Sequence, residues 1–333
     1  MKLFNRKKTV VSNQKADDKH LPSGTFWKYK LQIIFSVIFI ASAVHLARNS
    51  MLDLKDDRTL KQQQAALQED MRLATESEEK KEVPSSSAIQ LEKDKVVLSS
   101  TPKPEKELIP SSTPNLEEEL VPSGTPALVM LPEYKVLYEQ NDDFVGWLTI
   151  EDTVIDYPVM QCMEDENYYL SRNFYREENR NGCLILDNDS NAGIGRIEQA
   201  YRNGSKPSTN LIIHGHTMKT GQMFGNLQLY ANEEYGLEHN TICFDSLYEK
   251  REYELIAVFY SQVYYQSEEV FKYYKFFEAH TQEQFDAWYN NIMELSLYDT
   301  GVTAEFGDEF ITLSCCAYHV EDGRFVVVGK RIL

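Results

Sequence analysis

The chain has 333 residues and a formal net charge of -18, so it is long enough for one sizeable core with appendages and too acidic for bulk nucleic-acid affinity. Its five cysteines, Cys162, Cys183, Cys243, Cys315 and Cys316, are odd in number and contain no Cys-x-x-Cys pair, which excludes a disulfide framework or a zinc ribbon. What remains is an ordinary globular protein with room for a working thiol.

Taken in chain order, residues 1–30 are basic, with Lys2, Arg6, Lys7, Lys8, Lys15, Lys19, Lys28 and Lys30 against Asp17 and Asp18. An apolar run follows over residues 31–47, closed by Arg48. About 17 helical residues cover roughly 26 Å at about 1.5 Å each. That is the lower limit for the hydrocarbon core of a bilayer, and flanking Lys and Arg can snorkel to make up the rest. The run is expected to be a single-pass membrane anchor, and the basic residues before it put the N-terminus in the cytoplasm and the remainder outside. Ala41-Ser42-Ala43 also fits a signal-peptide cleavage site, and a buried core helix is a third reading.

Residues 48–130 read as an extracellular stalk, extended and poorly packed. Leu60, Leu67 and Ala74 recur every seventh position, which allows a short helix or weak coiled coil. Then come "LEKDKVVLSSTP", "KPEKELIPSSTP" and "NLEEELVPSGTP", a period-twelve repeat over residues 91–126. The recurring prolines remove amide donors and favour extended chain, as a spacer or a plain linker would.

From residue 131 the composition turns aromatic and β-branched. Eight short runs, "GWLTI", "TVIDYPVM", "CLILD", "NLIIH", "TICF", "YELIAVFY", "FITLS" and "RFVVVG", read as strands. With few helices between them they suggest a mainly β fold, a closed or nearly closed barrel of about eight strands. A helix is expected at residues 133–141. A second is expected where Thr281 and Gln284 form a capping box before Phe285, Trp288, Tyr289, Ile292 and Met293, which share one face. That helix lies in the connection before the last two strands.

Three segments carry chemistry. "LIIHGHTMKTGQMFGNL" runs a strand into a Gly-His turn, "TLSCC" ends a strand in two cysteines, and "GRFVVVGKRI" opens a strand with an Arg. A thiol needs a base or a cation beside it to react near neutral pH, and acyl transfer needs a donor for the developing oxyanion. Strand alternation puts Ile311, Leu313 and Cys315 on an apolar face and Thr312, Ser314 and Cys316 on a polar one, so Cys316 is the candidate nucleophile and Cys315 a buried filler. His214 and His216 at i and i+2 could instead ligate zinc with a third ligand that the sequence does not specify. His319 is a rival base, and Arg324 could simply pair with Glu321 or Asp322.

These segments resemble class B sortases. "TLSCC" resembles the TLxTC signature, "IIHGHTMKTGQMFGNL" the histidine segment, and "NDDFVGWLTIEDTVIDYPVMQ" with "YYLSRNFYREENRNGCLILD" the start of the catalytic domain, so that residues 131–333 match in order. Two positions depart from the pattern: Cys315 stands where Thr is usual, and His214 where Tyr is commoner. The resemblance implies a sortase barrel in a membrane-anchored cysteine transpeptidase of a Gram-positive cell, with Cys316 as nucleophile, His216 as the histidine, Arg324 as the arginine and no cofactor or metal. It implies surface proteins with an LPxTG-like or NPQTN-like sorting signal as one partner and a peptidoglycan-precursor amine or a pilin Lys as the other. A hydrolytic cysteine protease and a non-enzymatic anchored surface domain are the remaining alternatives.

Overall fold

In a computed structural model, residues 23–82, 129–193 and 206–333 are described. The basic tail before residue 23 and the twelve-residue repeats lie outside the described residues. The chain divides into two compact units, Met1–Lys55 and Asp56–Leu333.

In the first unit the apolar run is the early part of helix α1 (Ser23–Glu82), with Leu31, Ile33, Phe35 and Phe39 all exposed. An apolar window of that helix has a mean hydropathy of 1.8, enough by length and composition to cross a membrane.

The second unit is built on eight strands: β1 (Phe144–Thr149), β2 (Asp156–Met160), β3 (Leu184–Leu186), β4 (Asn210–Gly215), β5 (Thr241–Ser246), β6 (Glu252–Gln262), β7 (Phe310–Cys316) and β8 (Gly323–Arg331). They close into a barrel in the order β1-β2-β3-β4-β7-β8-β6-β5. Each of the eight runs expected from sequence is one of these strands. The β2–β3 and β4–β7 pairs are parallel and the others antiparallel. The ring closes between β1 and β5, where a Cβ on Gly146 would meet the Asp245 carbonyl at 2.4 Å. Only glycine admits that approach.

Alternation fills the barrel. Leu148, Leu211, Ile213, Leu313, Phe325 and Val327 are fully buried and point into one cluster. Outside the wall, α2 (Pro132–Gln140) covers Phe144 and Trp147 with Tyr134 and Leu137. A short α3 (Glu233–Glu238) precedes β5. Helix α4 (Gln282–Leu295) lies between β6 and β7 as expected and buries Phe285, Trp288 and Ile292 against Phe259, Phe310 and Val326. The Thr281 hydroxyl accepts from the Gln284 amide at 3.3 Å. The Gln284 side chain reaches one residue further back than a capping box requires, accepting from the His280 amide at 2.8 Å.

The expectation of a poorly packed stalk fails over residues 56–82. That part of α1 is seated on the barrel, with Leu67 buried beside Phe174 and Leu60 in the barrel cluster. The seven-residue spacing therefore marks a helix face, but its partner is the barrel and not a second helix. Polar contacts fix the seat: Gln64 donates to the Asp156 carbonyl, Gln68 to the Asp156 carboxylate, and Arg180 to Asp56 at 2.9 Å.

Candidate active site

Register brings the three chemical segments to one place. Parallel pairing of β4 with β7 sets Gly215 opposite Cys315, and antiparallel pairing of β7 with β8 sets Cys316 opposite Arg324. His216 follows directly on the end of β4. A Cβ on Gly215 would meet the Phe224 ring at 2.5 Å and Leu184 at 2.6 Å, so glycine is required for the strand to pass here into the His216 turn. Cys316, His216 and Arg324 line one cleft of about 340 Å3, together with Glu166, Leu170, His214 and Ser314.

The two cysteines differ as alternation requires. Cys315 is buried among the barrel residues, and burial pushes its thiol up to about 12, with the Thr217 hydroxyl opposing. It is protonated near neutral pH and unreactive. Cys316 is half-exposed and faces the cleft. Both thiols are free, and a strand that sends them to opposite faces holds them apart.

The imidazole of His216 is tied through Nε2 to the Leu170 carbonyl at 2.7 Å. A carbonyl only accepts, so Nε2 donates and Nδ1 is left as the ring's other nitrogen. Arg324 donates from Nη1 to the backbone carbonyls of Asp322 at 3.2 Å and Gly323 at 3.0 Å. Its Nε and Nη2 have no protein partner among the described residues, and neither Glu321 nor Asp322 offers it a carboxylate. His319 packs on Tyr260 at 4.8 Å, outside the cleft residues.

His214 also lines the cleft, paired with Asp187 at 3.1 Å. Burial pushes the Asp187 carboxyl up, but the His214 bond and the Asp189 amide outweigh it and hold the group below the usual range. Among the described residues no three metal-ligating side chains cluster, so none supplies the third ligand that a zinc site on His214 and His216 would need.

Sequence reasoning did not single out Leu170, Thr217, Gln228 or Tyr273. Thr217 and Gln228 both donate to the Cys316 carbonyl, at 2.6 and 3.2 Å, and Tyr273 meets the Ser314 hydroxyl at 2.7 Å. Leu170 and Tyr273 come from parts of the chain that no local pattern links to the three segments, whereas Thr217 lies inside the first segment and Gln228 directly follows it.

A thiol at a strand end, with an imidazole and a guanidinium on the neighbouring strand ends of an eight-stranded barrel, is a candidate site for cysteine acyl transfer. No family model matches the chain. It is 33% identical over 203 residues to the sortase B of Listeria monocytogenes, covering 60% of this chain and 74% of that protein. It is 26% identical over 204 residues to the sortase B of Staphylococcus aureus, covering 60% and 75%. Among solved structures, sortase B from B. anthracis in complex with AAEK2 superposes with a TM-score of 0.52 at 30% identity, over 62% of this chain and 86% of that one. The chain belongs to the sortase B family, whose members are cysteine transpeptidases.

Proposed function

We propose that this sortase is anchored in the cell membrane by the apolar part of α1, with its N-terminus cytoplasmic and the barrel outside. There it cuts the C-terminal sorting signal of surface proteins after a Thr and joins the new acyl end to a cell-wall amine. Cys316, His216 and Arg324 carry the reaction. The Cys316 thiolate adds to the Thr carbonyl, and the oxyanion that forms is held by the free donors of Arg324. The C–N bond breaks, His216 gives its proton to the departing amine, and a thioacyl-enzyme remains. An incoming primary amine attacks that thioester, its proton passes to His216, and the Cys316 thiolate leaves as the new amide forms.

The observation that carries this reading is the contrast in burial within β7: Cys315 is buried and held protonated, whereas Cys316 is partly exposed in the cleft that His216 and Arg324 also line. The signal is of the LPxTG or NPQTN kind, and the acceptor is a peptidoglycan-precursor amine, with a pilin Lys as the other acceptor of matching chemistry. To test this, the full-length chain in detergent, wild type and Cys316→Ala, is incubated with peptides of both kinds plus triglycine, and products are read by intact mass. A Cys316-dependent thioacyl adduct and a triglycine-ligated product are expected. Hydrolysis unaffected by added amine would make the enzyme a protease, and an adduct that survives Cys316→Ala would move the nucleophile elsewhere.

A further inference from the structure

We propose that Thr217 and Gln228 are positioning residues for the reaction, acting through the main-chain carbonyl of Cys316. The proposal rests on Cys316 being the nucleophile.

Cys316 ends β7. On the β4 side, pairing stops one residue earlier, at Gly215 opposite Cys315, so no β4 partner is registered against Cys316. Its carbonyl oxygen takes two side-chain donors instead. The Thr217 hydroxyl donates at 2.6 Å and the Gln228 amide at 3.2 Å, which uses both lone pairs. The same peptide unit is held at its other end by the Ala317 amide, which donates to the Gly323 carbonyl at 2.9 Å. Three hydrogen bonds therefore fix one peptide plane, and that plane sets the direction in which the Cys316 side chain leaves the backbone.

The donors are themselves anchored. Thr217 is the next residue after His216 and bridges to Met223, and the His216 carbonyl accepts from the Phe224 amide at 3.0 Å. Gln228 sits on a 3-10 turn, Leu227–Ala231, pinned by buried Leu227 and Tyr230. A single hydroxyl thus joins the segment that carries the imidazole to the residue that carries the thiol. Losing it frees the peptide plane and lets the two drift, and a displacement of about 1 Å between reacting groups can cost on the order of a hundredfold in rate. The two donors share one acceptor, so each partly covers for the loss of the other.

The test uses the full-length chain in detergent, with triglycine as acceptor and whichever sorting-signal peptide it turns over. Thr217→Val is expected to lower kcat by on the order of tenfold with KM within about twofold, because the hydroxyl acts on the reacting geometry and not on peptide binding. Thr217→Ser, which keeps the hydroxyl, restores most of the rate. Gln228→Met has a smaller effect alone, and the double variant Thr217→Val/Gln228→Met falls by more than the product of the single losses. Melting curves run alongside separate a misfolded variant from a slow one, and Gln228→Met keeps the test open if Thr217→Val does not fold. Wild-type kcat in the double variant, or a Thr217→Ser as slow as Thr217→Val, overturns the proposal. Cys316→Ala, run in parallel, keeps the two readings apart. If it still forms the thioacyl adduct, the nucleophile assignment fails; if it does not and the double variant is unimpaired, only the positioning role fails.

Discussion

The two ends of β8 treat charge in opposite ways. At its C-terminal end the Arg331 guanidinium is buried and meets carboxylates on two sides, Glu309 at 2.7 Å and Glu249, while buried Arg251 meets Glu249 at 3.2 Å. At its N-terminal end, roughly 23 Å away at about 3.3 Å per residue, Arg324 meets backbone carbonyls alone. His216 is held in the same way, by the Leu170 carbonyl. A carbonyl orients a cation without neutralising it. A carboxylate does both, and so removes the positive charge that a developing oxyanion needs. The lesson is that the charges that hold this barrel together are paired with each other, and the charges that face the cleft are aimed by the main chain and left unspent.

The sharpest way to break that comparison is to replace one arginine at each end. Arg324→Met is expected to lower kcat/KM by about a hundredfold to a thousandfold, as removal of an oxyanion donor does elsewhere, with the melting temperature near wild type. Arg331→Met should do the reverse. It removes the cation that Glu309 and Glu249 share and leaves Glu249 to Arg251, a loss of about 3 kcal/mol of stability, while kcat at a temperature where the protein stays folded is unchanged. Paired urea melts and steady-state kinetics read both. Equal losses of activity and stability from the two variants would abolish the distinction.

The next effect concerns the helix residues 56–82. Leu67 is almost fully buried beside Phe174, so Leu67→Ala is expected to cost about 2–5 kcal/mol. A chain that starts at residue 131 should melt well below one that starts at Asp56. Indistinguishable melting curves would return residues 56–82 to the stalk.

How much of this was legible in sequence depends on the range of the interaction. Each strand declared itself locally, through β-branched and aromatic runs that bury one or both faces. The difference in burial between Cys315 and Cys316 was legible too, because it needs only the two-residue period of a strand and apolar neighbours at Ile311 and Leu313. The same alternation misled at Thr312 and Ser314. Their polar side chains suggested a site-facing strand, yet both are buried, Thr312 donating to Asn210 at 2.8 Å and Ser314 bonded to Tyr273. The polar face of β7 is satisfied by distant residues, and only its last residue and part of Ser314 reach the cleft. Leu60 and Leu67 gave a helix but not its partner, since Gln64 and Gln68 beside them look solvent-facing until Asp156 is in place. Periodicity reports which face is covered, and nothing local reports what covers it.

The smallest effect tests the comparison at its one apparent exception. His214 lies in the cleft, yet it has a carboxylate partner, Asp187. By the rule drawn from β8 it belongs with the structural charges, so His214→Asn should leave kcat within a fewfold of wild type, whereas His216→Asn should nearly abolish it. The pairing should show instead in acid stability. Burial raises the Asp187 carboxyl, but the His214 bond and the Asp189 amide prevail and leave it lower in the folded protein than in the unfolded chain. A depressed carboxylate contributes stability that is fully present above its unfolded value of about 3.9 and is lost as pH falls through the folded value. With His214 about a third exposed, solvent screens the pair, and the contribution is about 1 kcal/mol or less. Urea melts carried from about pH 5 down to about pH 2, through the unfolded value and below it, should therefore show a steeper acid decline in the wild type than in Asp187→Asn. If His214→Asn instead stops turnover while the acid decline stays the same, the cleft uses a paired charge after all, and pairing no longer separates the charges that hold the fold from those that do chemistry.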